Sequence, residues 1–429
     1  MIFDKSALQA LSMDEAVWFD AFFYANVVPV FYVETLADLE KQVADGRTPE
    51  DVVGMLADKT PYNAVSNVHH RQLVLSELAG HRLDKPMAIH QPVIGAGDMK
   101  QATDGTVGLH VDEFPEAAAL MRWRSHEFLE IERAAAKDWR AELAEHNPAH
   151  ISDVLKNIVP TDVKISDLEQ LKTFIDSFCS SADPEVLALA LDVLAAPKDL
   201  RMVALHRWLS HGQPRLDRFA PYATHVFKVD LLFYLGIARG FISGERASNK
   251  VDMAYLYYLP FTMVFVSGDR LHHRTAPLFL RNMQTYLRVD ELKPALRELD
   301  EHYDAFPQEI KDLGVLAIAS YPPSDLENAV TRQWDIHMRR DWRDTAKLNE
   351  ARLAEPRDQK ADRRTVAELN QKLEEAQPVR DEQASIGARG PDYMIIQRQI
   401  PATKGKWRMI SKEVEEAGRE NQPSFGFDS

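Results

Sequence analysis

The sequence predicts an α/β protein: a parallel-sheet core, a large, mainly α-helical insertion, and a charged helical C-terminal region. Three observations predict it. Two short apolar runs, Met1–Phe3 and Met263–Val266, have strand character, and each leads into an acid, Asp4 directly and Asp269 through Ser267-Gly268. Residues 114–220 carry helical patterning throughout, and 18 glycines among 429 residues are few. Residues 336–383 are dense in charge and poor in apolar side chains, the composition of a solvated helix or arm.

In chain order, Met1–Asp4 reads as a short strand. Ser12 with Glu15 three residues later forms a capping box, so a helix follows that carries Val17, Trp18, Phe19, Phe22 and Phe23. Val27–Tyr32 reads as a short β-rich run, with Pro29 at an edge or at the strand's first residue. Glu34–Val43 then reads as helix. Residues 48–85 predict two short helices, the first starting at Thr48-Pro49-Glu50. In 86–112, Gly95-Ala-Gly97 and Asp104-Gly105 are turn signals that fit a hairpin. Glu185–Ala196 and 224–242 read as buried helices. Residues 290–376 continue helical, and Met394–Ile396 and Trp407 predict a last strand or hairpin. The expected division is 1–45 and 225–285 as two halves of the core, 46–224 as the insertion, and 286–429 as the C-terminal region.

Composition narrows the function. A chain of this length with 45% apolar residues can bury a large core. No run of 18 apolar residues exists, so no membrane partner is expected. A basic segment before an apolar leader is also missing, and with a single cysteine, Cys179, the expected location is cytoplasmic. The net charge of −15 argues against binding a polyanion over the whole surface but leaves room for a local basic groove. There is no GxGxxG after a strand, no GxSxG elbow and no His-x-x-x-His helix with a glutamate. This argues against a nucleotide-cofactor oxidoreductase, a serine hydrolase or a zincin.

The acids carry the functional reading. In an open α/β sheet the C-terminal ends of strands border the ligand crevice, which is where Asp4 and Asp269 fall. Asp252 opens the segment that leads into the second strand. Glu34 and Asp38 are four apart and share a helix face. Any one of 66 acids is most often a solvated surface residue. Gathered together, carboxylates ionise with difficulty unless a cation compensates them, and Mg²⁺ or Mn²⁺ favours such hard oxygen ligands. Metal-assisted phosphodiester hydrolysis suits that set.

These residues resemble the motifs of PIN-like nucleases. The opening strand ends in Asp4-Lys5-Ser6. Thr35-Leu36-Ala37-Asp38-Leu39 resembles the family's second acidic helix, with Asp38 in place of the usual Glu and Glu34 as an alternative. Asp252 corresponds to the acid of a later helix, and Ser267-Gly268-Asp269 to the strand-ending motif. The resemblance implies a parallel-sheet core, Mg²⁺ or Mn²⁺ held by Asp4, Asp38, Asp252 and Asp269, and RNA as substrate in preference to DNA. The chain departs from the family in the long insertion at 46–224. Ser6 and Ser267 would support the carboxylates. Arg270, His272, His273 and Arg274 follow the last acid and are candidates for substrate phosphates, and Asn67 and His70 could add contacts from the insertion. The insertion would also offer a surface for a protein partner. The alternative from a different class is a non-catalytic interaction scaffold, and a third possibility is another phosphoester hydrolase using the same acids.

Overall fold

The computed structural model describes residues 1–39, 46–62, 64–81, 98–101, 103, 105–111, 115–145, 148–160, 163–246, 248–353, 375, 377–378, 393–396 and 400–420. The tails of two expected helices therefore lie outside the described residues, namely 40–43 and the charged 354–374. So do the turn residues Gly95–Gly97 and Asp104.

Eleven strands are described. In chain order they are β1 (Ile2–Phe3), β2 (Asn26–Val27), β3 (Val65–Ser66), β4 (Asp98–Gln101), β5 (Val107–Val111), β6 (Val264–Ser267), β7 (Thr285–Arg288), β8 (Gln377–Pro378), β9 (Tyr393–Ile396), β10 (Thr403–Lys404) and β11 (Trp407–Arg408). The central sheet runs β3-β2-β1-β6-β7, and every pairing in it is parallel. The α/β class is therefore as expected, with helix as the dominant element. The sheet also takes in β3, from within 46–224, and β7, which begins at 285 and runs on to 288. A second sheet, β8-β4-β5-β9, contains the antiparallel β4–β5 hairpin read from the turn signals. The terminal hairpin is β10–β11.

The helices that position the rim of the central sheet are α1 (Lys5–Ala10), α2 (Met13–Phe22), α3 (Pro29–Ala37), α4 (Pro221–Ala238), α5 (Ser248–Ala254), α6 (Arg270–Thr275) and α7 (Val289–Asp304). The capping box of α2 forms as read, with Ser12 Oγ accepting from Glu15 N–H. The Val27–Tyr32 run is corrected. Its strand stops at Val27, and Pro29 is the first residue of α3, a position that suits its fixed φ and missing N–H. Asp252 is also placed differently, inside α5 rather than opening it. The following Tyr255–Phe261 is a wholly buried 3₁₀ run with Pro260 inside it.

The core forms where these elements meet. Phe3 sits edge-on to Phe19 of α2 and to Phe31 of α3, at 5.7 and 5.8 Å. α4 is apolar nearly all round because it is enclosed, packing against helices Pro148–Leu155, Leu168–Cys179 and His70–Ala79 and against the 3₁₀ run. On the other side Trp18 stacks on Tyr303 of α7 at 4.4 Å and meets Trp407 of β11 edge-on at 4.8 Å. Asp300 accepts from both indole N–H groups, at 3.0 and 2.7 Å, so one carboxylate ties the terminal hairpin to α2 and α7.

Trp407→Ala removes a buried aromatic and one of those bonds. It should lower unfolding free energy by about 3–5 kcal/mol in urea denaturation, with the midpoint shifted and the slope unchanged.

Candidate functional site

The strand order reverses between β1 and β6, which makes their shared C-terminal end the switch point of the sheet. Phe3 pairs with Val266, so Asp4 and Ser267 emerge side by side. Asp4 N–H still donates to Val266 O at 3.2 Å, and the same residue is the N-cap of α1, its Oδ1 accepting from Ala7 N–H at 2.9 Å. Strand passes into helix without a loop, which leaves this carboxylate 3% exposed.

A buried carboxylate needs several donors. Ser6 Oγ lies 2.8 and 2.9 Å from its two oxygens, and Ser267 Oγ donates to Oδ2 at 2.5 Å. Ser6 Oγ also accepts from Gly268 N–H at 3.0 Å, and Ser267 Oγ accepts from Asp269 N–H at 2.9 Å. The two serines thus link the two strand ends as well as bracing Asp4.

His272 is the fourth partner and requires a correction. It was expected to face substrate, but the ring is fully buried, between Phe265 and Tyr255. Nδ1 lies 3.2 Å from Asp4 Oδ2 and 2.8 Å from Ser267 Oγ, and Nε2 lies 2.6 Å from the backbone carbonyl of Asp252. A carbonyl accepts only, so Nε2 carries a proton. Asp4 as a carboxylate also accepts only, so Nδ1 carries one too. The ring is then an imidazolium. Burial opposes its charge, but the bond to Asp4 and the Asp4 charge, helped by Asp252, outweigh burial and push the pKa up to about 9. His272 therefore positions Asp4 and Asp252 and has no face for a ligand.

Glu34 of α3 and Asp38 at its C-cap have partners of their own. Glu34 Oε2 accepts from Tyr255 O–H at 2.6 Å. Lys5 Nζ lies 3.6 Å from Glu34 Oε1 and pairs directly with Asp38, the C-cap of α3. Lys5 is itself only 3% exposed. Burial raises the Glu34 pKa, with Lys5 opposing the rise and Asp4 adding to it. The sequence reading assigned no role to Lys5 or to Tyr255. A signal for Lys5 was present: a lysine at the first position of a helix opposes the helix dipole, so it calls for a nearby anion.

Asp252 and Asp269 remain. Asp269 is the N-cap of α6, its Oδ1 accepting from Leu271 N–H at 2.6 Å and from His272 N–H at 3.4 Å. Among the described residues no hydrogen-bond donor reaches the Asp252 carboxyl. Burial above all, then the charges of Glu34, Asp269 and Asp4, push its pKa up to about 8 against the pull of His272. Each of the five expected acids is thus within electrostatic reach of at least one other.

The remaining predicted contacts divide. Arg270, His273 and Arg274 are exposed on α6, beside the rim. Arg274 donates to Phe241 O at 3.0 Å, and His273 lies 3.5 Å from Arg288. Asn67 follows β3 on the same rim and is buried, and among the described residues neither side-chain amide atom has a partner. His70 is packed against Tyr257 at 4.7 Å. Lys250, two residues before Asp252, pairs with Asp230 and donates to the Tyr257 hydroxyl at 3.0 Å.

As placed, no group of three His, Cys, Asp or Glu among the described residues is close enough to hold a metal ion. The donor chemistry nonetheless fits a hard divalent cation. Asp252 has no described hydrogen-bond donor, and with its pKa raised by burial first and then by the charges of Glu34, Asp269 and Asp4, it is an oxygen ligand whose ionisation a cation would favour. Among the described residues no helix is long and apolar enough to cross a membrane. Fold and site together define an α/β protein with an acidic rim at the switch point of a small parallel sheet. No family model, curated protein or solved structure matches the chain.

The pKa shifts predict a pH dependence in metal-free buffer. Both groups are raised in the folded state, so each contributes stability that is present at low pH and lost on going alkaline. For Asp252 the loss spans 3.8 to about 8, and for His272 it spans 6.5 to about 9. Urea midpoints with EDTA should fall from pH 5 to pH 9, and Asp252→Asn should flatten the part below pH 8.

Proposed function

We propose that the chain is a PIN-like, divalent-metal-dependent nuclease that hydrolyses phosphodiester bonds, with RNA favoured over DNA. The observation that carries the reading is the electrostatic coupling of Asp252 to Asp4, Glu34 and Asp269, and of Glu34 to Asp4 and Asp38, at the switch point of the sheet. A Mg²⁺ or Mn²⁺ ion held there by Asp4, Asp38, Asp252 and Asp269, with Glu34 as the alternative to Asp38, would supply Lewis-acid chemistry for a phosphodiester oxygen and for a bound water.

The chain's own residues do the rest. Ser6 and Ser267 fix both oxygens of Asp4. His272 holds Asp4 and the Asp252 backbone at a constant separation. Arg270, His273 and Arg274, exposed beside the rim, contact substrate phosphates without reading sequence. The buried free thiol Cys179 fits the proposed cytoplasmic location. The helical insertion limits access to the rim and offers the surface for a protein partner.

The test is cleavage of labelled single-stranded RNA, structured RNA and DNA by pure protein with Mn²⁺. Cleavage should disappear with EDTA and in both Asp4→Asn and Asp269→Asn. Ser267→Ala, which removes support but no acid, should cost roughly 10–100-fold. Mn²⁺ should also raise the melting temperature of the wild type through linkage. Cleavage that persists in both acid variants rejects the assignment. No cleavage of any substrate and no shift with Mn²⁺ move the assignment to the interaction scaffold.

A further inference from the structure

β7 stands at one end of the central sheet, and its last residue reaches the rim that carries the acids. In the parallel ladder Ser267 is opposite Arg288, so this arginine leaves the sheet one strand, about 5 Å, from the serine that braces Asp4. Two residues earlier, Tyr286 packs against Phe265 at 5.7 Å and lays its hydroxyl 3.4 Å from the Ser267 carbonyl. The charges of Asp4, Asp269 and Arg288 all reach that hydroxyl. The sequence reading gave neither Tyr286 nor Arg288 a role.

Arg288 is exposed but not free to turn. Nε donates to Asp290 Oδ1 at 2.8 Å and Nη2 donates to the other oxygen, a two-bond pairing that fixes the plane of the guanidinium. Among the described residues Nη1 meets no carboxylate. It lies 3.5 Å from Nε2 of His273, which α6 brings alongside, and the His273 ring is 6.0 Å from that of Tyr286. Tyr286, His273 and Arg288 thus make one polar wall beside the acids.

A nucleic-acid strand crossing this rim brings phosphates on both sides of the reacting one. The bound cation compensates the reacting phosphate, and its neighbour must be held against the acids by the protein's own N–H and O–H groups. Resting on the nuclease reading above, we propose that Arg288, His273 and Tyr286 form the subsite for that neighbouring backbone phosphate. Arg288 Nη1 and, in the tautomer with its proton there, His273 Nε2 each take one phosphate oxygen. The Tyr286 hydroxyl, only loosely held by the Ser267 carbonyl, donates a third bond. Asp290 keeps the guanidinium aimed and is a positioning residue.

The test is binding of a short labelled single-stranded RNA by the full-length protein in EDTA, read by fluorescence anisotropy over a series of KCl concentrations, with kcat and KM then measured in Mn²⁺. The variants are Arg288→Ala, Arg288→Lys, Tyr286→Phe and, as control, Arg339→Ala. Arg339 is an exposed arginine that also pairs with an aspartate, Asp341. It follows helix Ala329–His337, whose last residue meets Thr285 at the other end of β7. Arg288→Ala should weaken binding and reduce the slope of log affinity against log salt by roughly 0.7, the loss of one phosphate contact on a single strand. Its KM should rise roughly tenfold with kcat changed less. Arg288→Lys should keep the slope. Tyr286→Phe should weaken binding without changing the slope, and Arg339→Ala should change neither.

If the wild type binds and cleaves RNA while Arg288→Ala keeps its slope and KM, the subsite is overturned and the nuclease reading stands. An equal fall in slope in Arg339→Ala overturns it as well, since the charge then acts without a site. An unchanged affinity in Tyr286→Phe removes the tyrosine from the subsite. Binding that depends on Arg288, with no cleavage in Mn²⁺, upholds the subsite and removes the catalytic reading. If the wild type neither binds nor cleaves RNA, both fall together.

Discussion

Everything at the rim depends on the cost of burying the Asp4 carboxylate. A charge at 3% exposure is tolerable only if its lone pairs are filled. The donors come from two regions far apart in sequence: Ser6 and the Ala7 N–H on the first strand–helix unit, and Ser267 and His272 on the second. Neither unit satisfies the charge alone. The pairing of β1 with β6 is therefore specified twice, by backbone register and by the side-chain bonds that close over the strand ends.

The same requirement extends outward. His272 can be a buried cation because Asp4 balances it. It can also hold α5, because its second nitrogen needs an acceptor and finds the Asp252 carbonyl. Tyr255 packs its ring beside His272 and places its hydroxyl on Glu34. That contact joins the 3₁₀ run to α3. The aromatic run Tyr255–Phe261 thus does two jobs, with rings in the core and one polar tip at the rim.

How much of this was legible depends on range. The α/β class and the positions of Asp4 and Asp269 were legible because a strand end and a helix cap are local patterns. Ser6 and Ser267 stood out because they flank those acids. The end of β2 was misread because Val30, Phe31 and Tyr32 are β-formers. Pro29 decides the matter by starting a helix that packs these same apolar residues into the core. β3 is two residues long, too short for any periodicity to reveal. His272 looked like its exposed neighbours His273 and Arg274. Its burial follows from the pitch of α6, which turns one of three adjacent polar side chains inward against Phe265. The partners of Lys5 are some thirty residues away, and no local rule identifies them.

The charges around Asp4 are balanced in two ways. His272 serves Asp4, and Lys5 serves Glu34 and Asp38, each through a short contact fixed by the fold. Both cations reach the cluster from within the core. Asp252 feels the His272 charge but receives no hydrogen bond among the described residues, and burial above all, then the charges of Glu34, Asp269 and Asp4, push its pKa up to about 8. An acid rim built only for stability would carry an amide at position 252, since a carboxyl whose pKa is raised by the fold costs stability once it ionises. This rim keeps an acid there, within electrostatic reach of Glu34, Asp4 and the α6 N-cap Asp269. Under the metal-dependent reading proposed above, Asp252 is the acid whose charge a bound cation would compensate.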